Sequence, residues 1–88
     1  MKLEGRNAVV TGGGRGVGRA ISLALAAEGA NVVVNYAGRL QPAEEVVKMI
    51  QDMGRKAVAV QADVAKWEDA ERLIDACVQN FGSIDILI

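Results

Sequence analysis

The sequence predicts an α/β fold, in which a parallel β-sheet packs against α-helices. Four short runs rich in β-branched residues begin at residues 7, 31, 56 and 85, and a stretch with helical periodicity fills each interval between them. These runs lack polar alternation, which is typical of strands that are buried on both faces of a sheet. A strand, a helix and a second strand at this spacing form a βαβ unit with parallel strands and a right-handed crossover.

The strands are the apolar runs themselves, in which valine and isoleucine favour an extended backbone. Their predicted bounds are Asn7–Thr11 (β1), Asn31–Asn35 (β2), Lys56–Gln61 (β3) and Asp85–Ile88 (β4). No linker or low-complexity segment separates them, so the whole chain is predicted to form one unit.

Each of the three helices is predicted from apolar residues that recur at three- and four-residue intervals and so share one stripe. Helix α1, at about Gly16–Glu28, has the stripe Val17, Ala20, Ile21, Ala24 and Leu25. Helix α2, at about Pro42–Met53, has Ala43, Val46, Val47, Ile50 and Met53. Helix α3, at about Lys66–Phe81, has Trp67, Ala70, Leu73, Ile74, Cys77, Val78 and Phe81. We expect Trp67, Cys77 and Phe81 to lie in the core.

Glycine and proline mark the predicted ends of the helices. Gly29, Gly54 and Gly82 each follow the last periodic residue, where a left-handed residue commonly ends a helix. Pro42 suits the first position of α2, where a backbone N–H has no partner in the helix.

The composition excludes several classes of protein. The 88 residues amount to one domain at most, and ten Lys/Arg against eleven Asp/Glu give a net charge of −1, unlike a polybasic nucleic-acid binder. Without histidine, neither a His-based catalytic triad nor an HExxH zinc site is possible, and the single Cys77 forms no internal disulfide. We predict no metal site, no membrane span and no secretory signal, and therefore expect a cytoplasmic protein.

A glycine-rich loop joins β1 to α1. Five of the ten glycines lie between Gly12 and Gly18. Backbone without Cβ atoms approaches a phosphate closely, and the N-terminus of a helix offers free N–H groups and a positive dipole end. A tight turn that binds nothing needs only one or two glycines, so the loop indicates a phosphate site.

The spacing of the glycines distinguishes between known phosphate loops. A P-loop is excluded because Arg19-Ala20 follow Gly18, where that motif requires Lys and then Ser or Thr. The pattern Gly-x-Gly-x-x-Gly also fails, since Val17 or Arg19 occupies the position of its third glycine. The pattern that fits is Thr-Gly-x-x-x-Gly-x-Gly, formed by Thr11, Gly12, Gly16 and Gly18.

With this loop, the chain resembles the classical short-chain dehydrogenases/reductases over about Lys2 to Ile88. Asp63-Val64 follow β3, where the family's Asp bonds the adenine amino group, and Phe81–Leu87 look like the family's lead into its fourth strand. The resemblance implies a Rossmann-like three-layer fold with the strand order 3-2-1-4, α1 and α2 on one face and α3 on the other. Residues 1–88 would then be the N-terminal dinucleotide-binding segment of a larger single domain.

The end of β2 bears on which dinucleotide is bound. A carboxylate there would accept hydrogen bonds from the adenosine ribose and repel a 2′-phosphate, but this chain has Asn35. Arg15 and Arg39 are suited to a phosphate, and Tyr36 is expected to line the adenosine pocket. The resemblance therefore favours NADP(H) over NAD(H), and we expect Asn35→Asp to weaken NADPH binding and to help NADH.

The resemblance gives a set of cofactor-binding residues and no catalytic ones. The predicted cofactor-binding residues are Gly12, Arg15, Gly16, Val17, Gly18, Asn35, Tyr36, Arg39, Asp63 and Val64. The family's catalytic tyrosine lies in a Tyr-x-x-x-Lys pair, but Leu40 stands four residues after Tyr36, the only tyrosine. The family's serine, tyrosine, lysine and strand-4 asparagine are therefore expected beyond Ile88, and the 88 residues alone are expected to be inactive.

Two functions remain open from the sequence. One is the adenosine- and pyrophosphate-binding half of an NADP(H)-dependent oxidoreductase that acts on a small carbonyl or alcohol, in a protein that forms homo-oligomers. The other is a non-catalytic nucleotide-binding Rossmann module. Neither involves a nucleic acid or a membrane.

Overall fold

The computed structural model describes residues 1–88 and contains a four-stranded sheet in the order β3-β2-β1-β4. Every pair of neighbouring strands is parallel. The elements are β1 (Asn7–Val10), α1 (Gly16–Ala27), β2 (Asn31–Tyr36), α2 (Leu40–Asp52), β3 (Ala57–Gln61), α3 (Trp67–Phe81) and β4 (Ile86–Leu87). The predicted fold class and strand order are confirmed.

The sheet separates two apolar clusters, because successive residues of a strand point to opposite faces. One face packs against α1 and α2, and its buried residues are Val10, Ala26, Val32, Val34, Ala43, Val46, Ile50 and Ala57. The other face packs against α3, and its buried residues are Val9, Val33, Ala62, Leu73 and Cys77. The predicted placement of the helices is therefore confirmed.

The predicted helix ends hold, but one helix start does not. Gly29, Gly54 and Gly82 have φ values of +101°, +86° and +95°, as left-handed residues at helix ends do. Helix α2 begins at Leu40, so that Pro42 is its third residue rather than its first. The first four N–H groups of a helix have no partner within it, so a proline costs no hydrogen bond at that position either.

Two predictions about buried faces are wrong. Helix α1 buries Ser22 and Ala26, while Val17 of the predicted stripe is 77% exposed. Because α1 is apolar on nearly all sides, its periodicity could not identify the face that meets the sheet. Trp67 is 78% exposed, because 3.6 residues per turn place it about 120° around α3 from the buried Leu73.

No helix of the structure has the length and apolar character that crossing a membrane requires.

Candidate functional site

A cavity of about 260 Å³ lies where β1 and β2 end and α1 and α2 begin. Its lining residues are Gly12, Gly14, Arg15, Asn35, Tyr36, Ala37, Gly38, Arg39, Pro42 and Ala43. In an open parallel sheet, ligands bind outside the carboxyl ends of the strands, so this cavity has the position expected of a binding site.

The glycine-rich loop presents a row of backbone donors beside this cavity. Gly12 and Gly13 donate their N–H groups to Asn35, but none of the N–H groups of residues 14–18 donates to an acceptor within the protein. Arg15, the residue before α1, is extended at φ −144° and ψ 151°, and neither a side-chain cap nor an acidic residue occupies the first turn. The positive end of α1 is thus free for an anion.

The glycines of the loop meet different steric demands. Gly12 and Gly16 have φ values of +62° and +54°, which residues with a side chain rarely adopt. A Cβ on Gly18 would overlap the carbonyl oxygen of Gly12 and lie 2.7 Å from its carbonyl carbon, so the loop folds tightly onto the start of α1. By contrast, apart from its chain neighbours and the backbone of its own helix, no atom lies within 4 Å of the Cβ position of Gly16, where the helix faces open space.

Ser22 fixes the loop from inside the protein. Its hydroxyl is fully buried and within hydrogen-bond distance of the carbonyl oxygens of Gly13 (3.2 Å) and Gly18 (2.9 Å). These two contacts give Ser22 a structural role. Because Ser22 belongs to α1, its hydroxyl holds the loop against the start of that helix, where the first N–H groups have no partner.

Two arginines stand at the mouth of the cavity. Arg15 and Arg39 are the residues immediately before α1 and α2, and both are exposed. Neither guanidinium takes part in an ion pair or hydrogen bond within the protein. Helix α2 also begins without a side-chain cap or an acid in its first turn. Two uncapped helix starts and two unpaired cations therefore surround one cavity.

Asn35 faces inward and its amide is fully used. Its side chain accepts the N–H of Gly12 at 3.2 Å and donates to the carbonyl oxygens of Val60 (3.2 Å) and Ala62 (3.1 Å). The strand continues to Tyr36, which lines the cavity and packs against the core on the α1/α2 face. Both residues line the cavity, but Asn35 is buried whereas Tyr36 is partly exposed.

Asp63 and Val64 lie outside the cavity, at the corner between β3 and α3. Asp63 accepts the N–H of Ala65 at 3.0 Å on one oxygen and donates its own N–H to Asp69 at 2.8 Å. This hydrogen bond, together with the Arg72 and Lys66 cations, holds the pKa of the Asp69 carboxyl below its usual value. The Asp69 carboxylate thus fixes the backbone at the residue expected to meet adenine.

Val64 contributes instead to a second, mostly apolar cavity of about 180 Å³ on the α3 side of the sheet. The other residues around it are Thr11, Ala70, Leu73, Ile74, Leu87 and Ile88. Of the predicted site residues, the structure brings Gly12, Arg15, Asn35, Tyr36 and Arg39 to the cavity at the starts of α1 and α2. It places Gly16, Val17 and Gly18 in the adjoining first turn of α1.

Sequence reasoning missed the contribution of α2 to the site. The backbone of Ala43 lies 2.9 Å from the Cβ position of Gly14, so the first turn of α2 rests directly on the loop. Pro42 and Ala43 line the cavity as a result. A small residue early in α2, after Gly38-Arg39, is the signal that could have shown this contact.

Reactive side chains are scarce in the described structure. No group of three or more Cys, Asp or Glu side chains is arranged to hold a metal ion. The thiol of Cys77 is buried, and this burial, with the nearby Asp85, raises its pKa, which makes it a poor nucleophile. The arrangement is suited to binding an anionic ligand and offers no nucleophile beside it.

Comparison with known proteins identifies relatives of the whole segment. A family model described as short chain dehydrogenase matches residues 6–88. The chain is 53% identical to an uncharacterized oxidoreductase of Methylorubrum extorquens, over 99% of this chain and 35% of that protein. It is 48% identical to a hydroxynaphthalene reductase of Aspergillus fumigatus, over 100% of this chain and 32% of that protein.

A solved structure agrees with these relatives. A short chain dehydrogenase from Burkholderia cenocepacia, crystallised in complex with NADP, superposes with a TM-score of 0.96 at 42% identity. The match covers 99% of this chain and 36% of that one. The chain therefore spans about a third of the length of the curated relatives that it matches.

Proposed function

The chain belongs to the short-chain dehydrogenase family, and we propose that it forms the adenosine- and diphosphate-binding part of an NADP(H)-dependent oxidoreductase. Residues 1–88 would be the N-terminal segment of a larger single domain. The substrate would be a small carbonyl or alcohol, as the relative named hydroxynaphthalene reductase suggests. A cytoplasmic location and a homo-oligomeric assembly are part of the same proposal.

One observation supports the proposal above all others: the N–H groups of residues 14–18 have no acceptor within the protein, and Gly14 and Arg15 of this stretch line the cavity. Such donors at the start of a helix suit a diphosphate, which is doubly charged and offers several acceptor oxygens. The open space beside Gly16 leaves room for those oxygens to approach the backbone. The residues present thus fit the diphosphate of a dinucleotide.

The choice of NADP(H) over NAD(H) rests on the arginines. A guanidinium binds phosphate through two parallel hydrogen bonds, and both Arg15 and Arg39 are free of partners in the protein. No carboxylate lines the cavity, so nothing there would repel a 2′-phosphate. The complex of the Burkholderia cenocepacia relative with NADP is consistent with this choice.

The division of labour follows from what these residues offer. Gly16, Val17 and Gly18 would hold the diphosphate, Arg15 and Arg39 the 2′-phosphate, and Tyr36 and Asp63 the adenosine. The bound nicotinamide would supply or accept the hydride. Since Tyr36 has no lysine four residues later, we propose that the proton is transferred by residues outside 1–88.

The test is a titration of the full-length protein with NADPH and NADH by calorimetry, followed by a turnover screen with a panel of ketones, quinones and 3-oxoacyl thioesters. We expect tighter binding of NADPH and oxidation of NADPH by at least one carbonyl class. Binding without turnover of any substrate would favour the non-catalytic module, and absence of binding would overturn the proposal.

A further inference from the structure

Asn35 lies at the end of β2 and connects this strand with the glycine-rich loop and with the segment that follows β3. Its side-chain oxygen accepts the N–H of Gly12, and its backbone carbonyl accepts the N–H of Gly13 at 3.0 Å. Its side-chain nitrogen donates to the carbonyl oxygens of Val60, in β3, and Ala62, just after β3. The residue is only 3% exposed, so its polar atoms depend on these hydrogen bonds rather than on water.

The connection joins the two ends of a nucleotide site. The glycine-rich loop begins at Gly12 and leads to the free N–H groups of residues 14–18. Ala62 immediately precedes Asp63, the residue proposed to meet adenine. We propose that Asn35 is a positioning residue, whose amide fixes the phosphate-binding loop relative to the adenine-binding corner. This inference rests on the proposed function, and Asn35 would act on the cofactor only through the loop and the corner that it holds.

The position requires a side chain that both accepts and donates hydrogen bonds, which asparagine does and ionised aspartate does not. One side of its amide must accept from an N–H while the other donates to two carbonyl oxygens. A carboxylate has no donor, so Asn35→Asp would place a negative charge against the oxygens of Val60 and Ala62. We therefore expect Asn35→Asp to weaken NADPH and NADH alike, in contrast to the expectation from the sequence.

The same strand offers a matched control. Asn31, at the opposite end of β2, donates to the side chain of Asn7 at 2.9 Å and accepts the N–H of Lys56 at 3.0 Å. It therefore also links the β1 segment to the β3 segment, but at the amino ends of the strands, opposite the end that carries the cavity. Asn31→Ala removes two side-chain hydrogen bonds that join the same neighbouring segments, without touching the site.

The experiment compares Asn35→Ala, Asn35→Asp and Asn31→Ala in the full-length protein. We measure dissociation constants for NADPH and NADH by calorimetry, together with the melting temperature. A loop released from the sheet must be ordered on binding, so Asn35→Ala should raise both dissociation constants about tenfold. Asn31→Ala should lower the melting temperature and leave both constants unchanged.

Three results would overturn the proposal. If Asn31→Ala and Asn35→Ala weakened cofactor binding equally, Asn35 would contribute only to the general stability of the fold. If Asn35→Ala left the NADPH and NADH dissociation constants unchanged, Asn35 would have no role in positioning the loop. Tighter NADH binding by Asn35→Asp would place the side chain against the ribose instead.

Amide hydrogen exchange without cofactor separates this proposal from the proposed function. The Gly12 N–H should exchange slowly in the wild type and in Asn31→Ala, and faster in Asn35→Ala. Equal rates in all three proteins would overturn the link even where NADPH binds. A wild-type protein that binds no NADPH would overturn the proposed function and, with it, the role of Asn35 in cofactor binding, whatever the exchange rates.

Discussion

Gly16 combines a left-handed backbone with an open neighbourhood. Its φ of +54° disfavours any side chain, while no atom outside the adjacent residues and its own helix backbone lies within 4 Å of its Cβ position. The two properties have different consequences for a substitution. The positive φ would strain the backbone of any other residue, whereas a side chain in the open space would obstruct only a bound ligand. Replacing this residue therefore tests both the fold and the site.

We predict that Gly16→Ala abolishes NADPH binding and lowers the free energy of unfolding by about 1–2 kcal/mol, the cost of a left-handed non-glycine residue. The methyl group would occupy the space through which phosphate oxygens reach the N–H groups. Calorimetric titration and urea unfolding measure the two effects.

Gly54→Ala is the matched control for Gly16→Ala. Gly54 has a φ of +86° and equally empty surroundings, but it lies at the end of α2, away from the cavity. It should show the same loss of stability with unchanged NADPH affinity. Normal NADPH binding by Gly16→Ala would mean that the loop is not the phosphate site.

The arginines before α1 and α2 carry the prediction on cofactor choice. Arg15→Ala or Arg39→Ala should weaken NADPH by about 10- to 100-fold, because a charge-assisted hydrogen bond contributes about 1.5–3 kcal/mol. NADH affinity should stay the same, since NADH lacks the 2′-phosphate.

Lys48→Ala controls for the change in net charge. Lys48 lies on α2 and pairs with Asp52, away from the cavity, so its loss should affect neither cofactor. Equal losses of NADPH and NADH affinity in the arginine variants would mean that the arginines serve the diphosphate or the fold.

At the scale of single elements, the sequence predicted strands and helix ends best where a single physical requirement determines the residue type. Buried parallel strands require unbroken apolar runs, and left-handed helix ends require glycine, so the strands and the helix ends were predicted within about two residues. The buried face of α1 was missed because its sides are almost equally apolar. The inward role of Asn35 was missed because it depends on carbonyl groups of Val60 and Ala62, in and just after β3, which are distant in the sequence.

The corner between β3 and α3 depends on an ionised carboxyl group. Asp69 accepts the N–H of Asp63, and this hydrogen bond and nearby cations lower its pKa. A carboxyl whose pKa is lower in the folded protein stabilises the fold above its unfolded pKa of about 3.9, and this contribution is lost as the pH falls through the folded pKa.

We therefore predict that Asp69→Asn is less stable than the wild type at pH 7 and that the difference shrinks below about pH 4. Urea unfolding at pH 7 and pH 3 measures it. Glu68→Gln, in the same helical turn but without a hydrogen bond to the corner, should show a smaller difference. A difference for Asp69→Asn that grows at low pH would contradict this assignment.

At the scale of the whole molecule, the two faces of the sheet are covered unequally. Helices α1 and α2 share one face, while α3 alone packs on the other. Beside α3, a band of apolar side chains remains in contact with solvent, and its most exposed members are Leu87 (57%), Ile88 (49%) and Val64 (48%). Contiguous exposed apolar surface of this kind promotes association.

We predict that residues 1–88, prepared alone, self-associate and show no hydride transfer. The exposed band should drive association, which sedimentation velocity would detect as species larger than the 9.3 kDa chain. Hydride transfer to a carbonyl requires a proton donor, and the only tyrosine, Tyr36, has Leu40 where a Tyr-x-x-x-Lys pair has its lysine. NADPH absorbance with the same carbonyl panel should therefore remain constant for this segment but fall for the full-length protein. Consumption of NADPH by residues 1–88 alone would show that the proton donor lies within them.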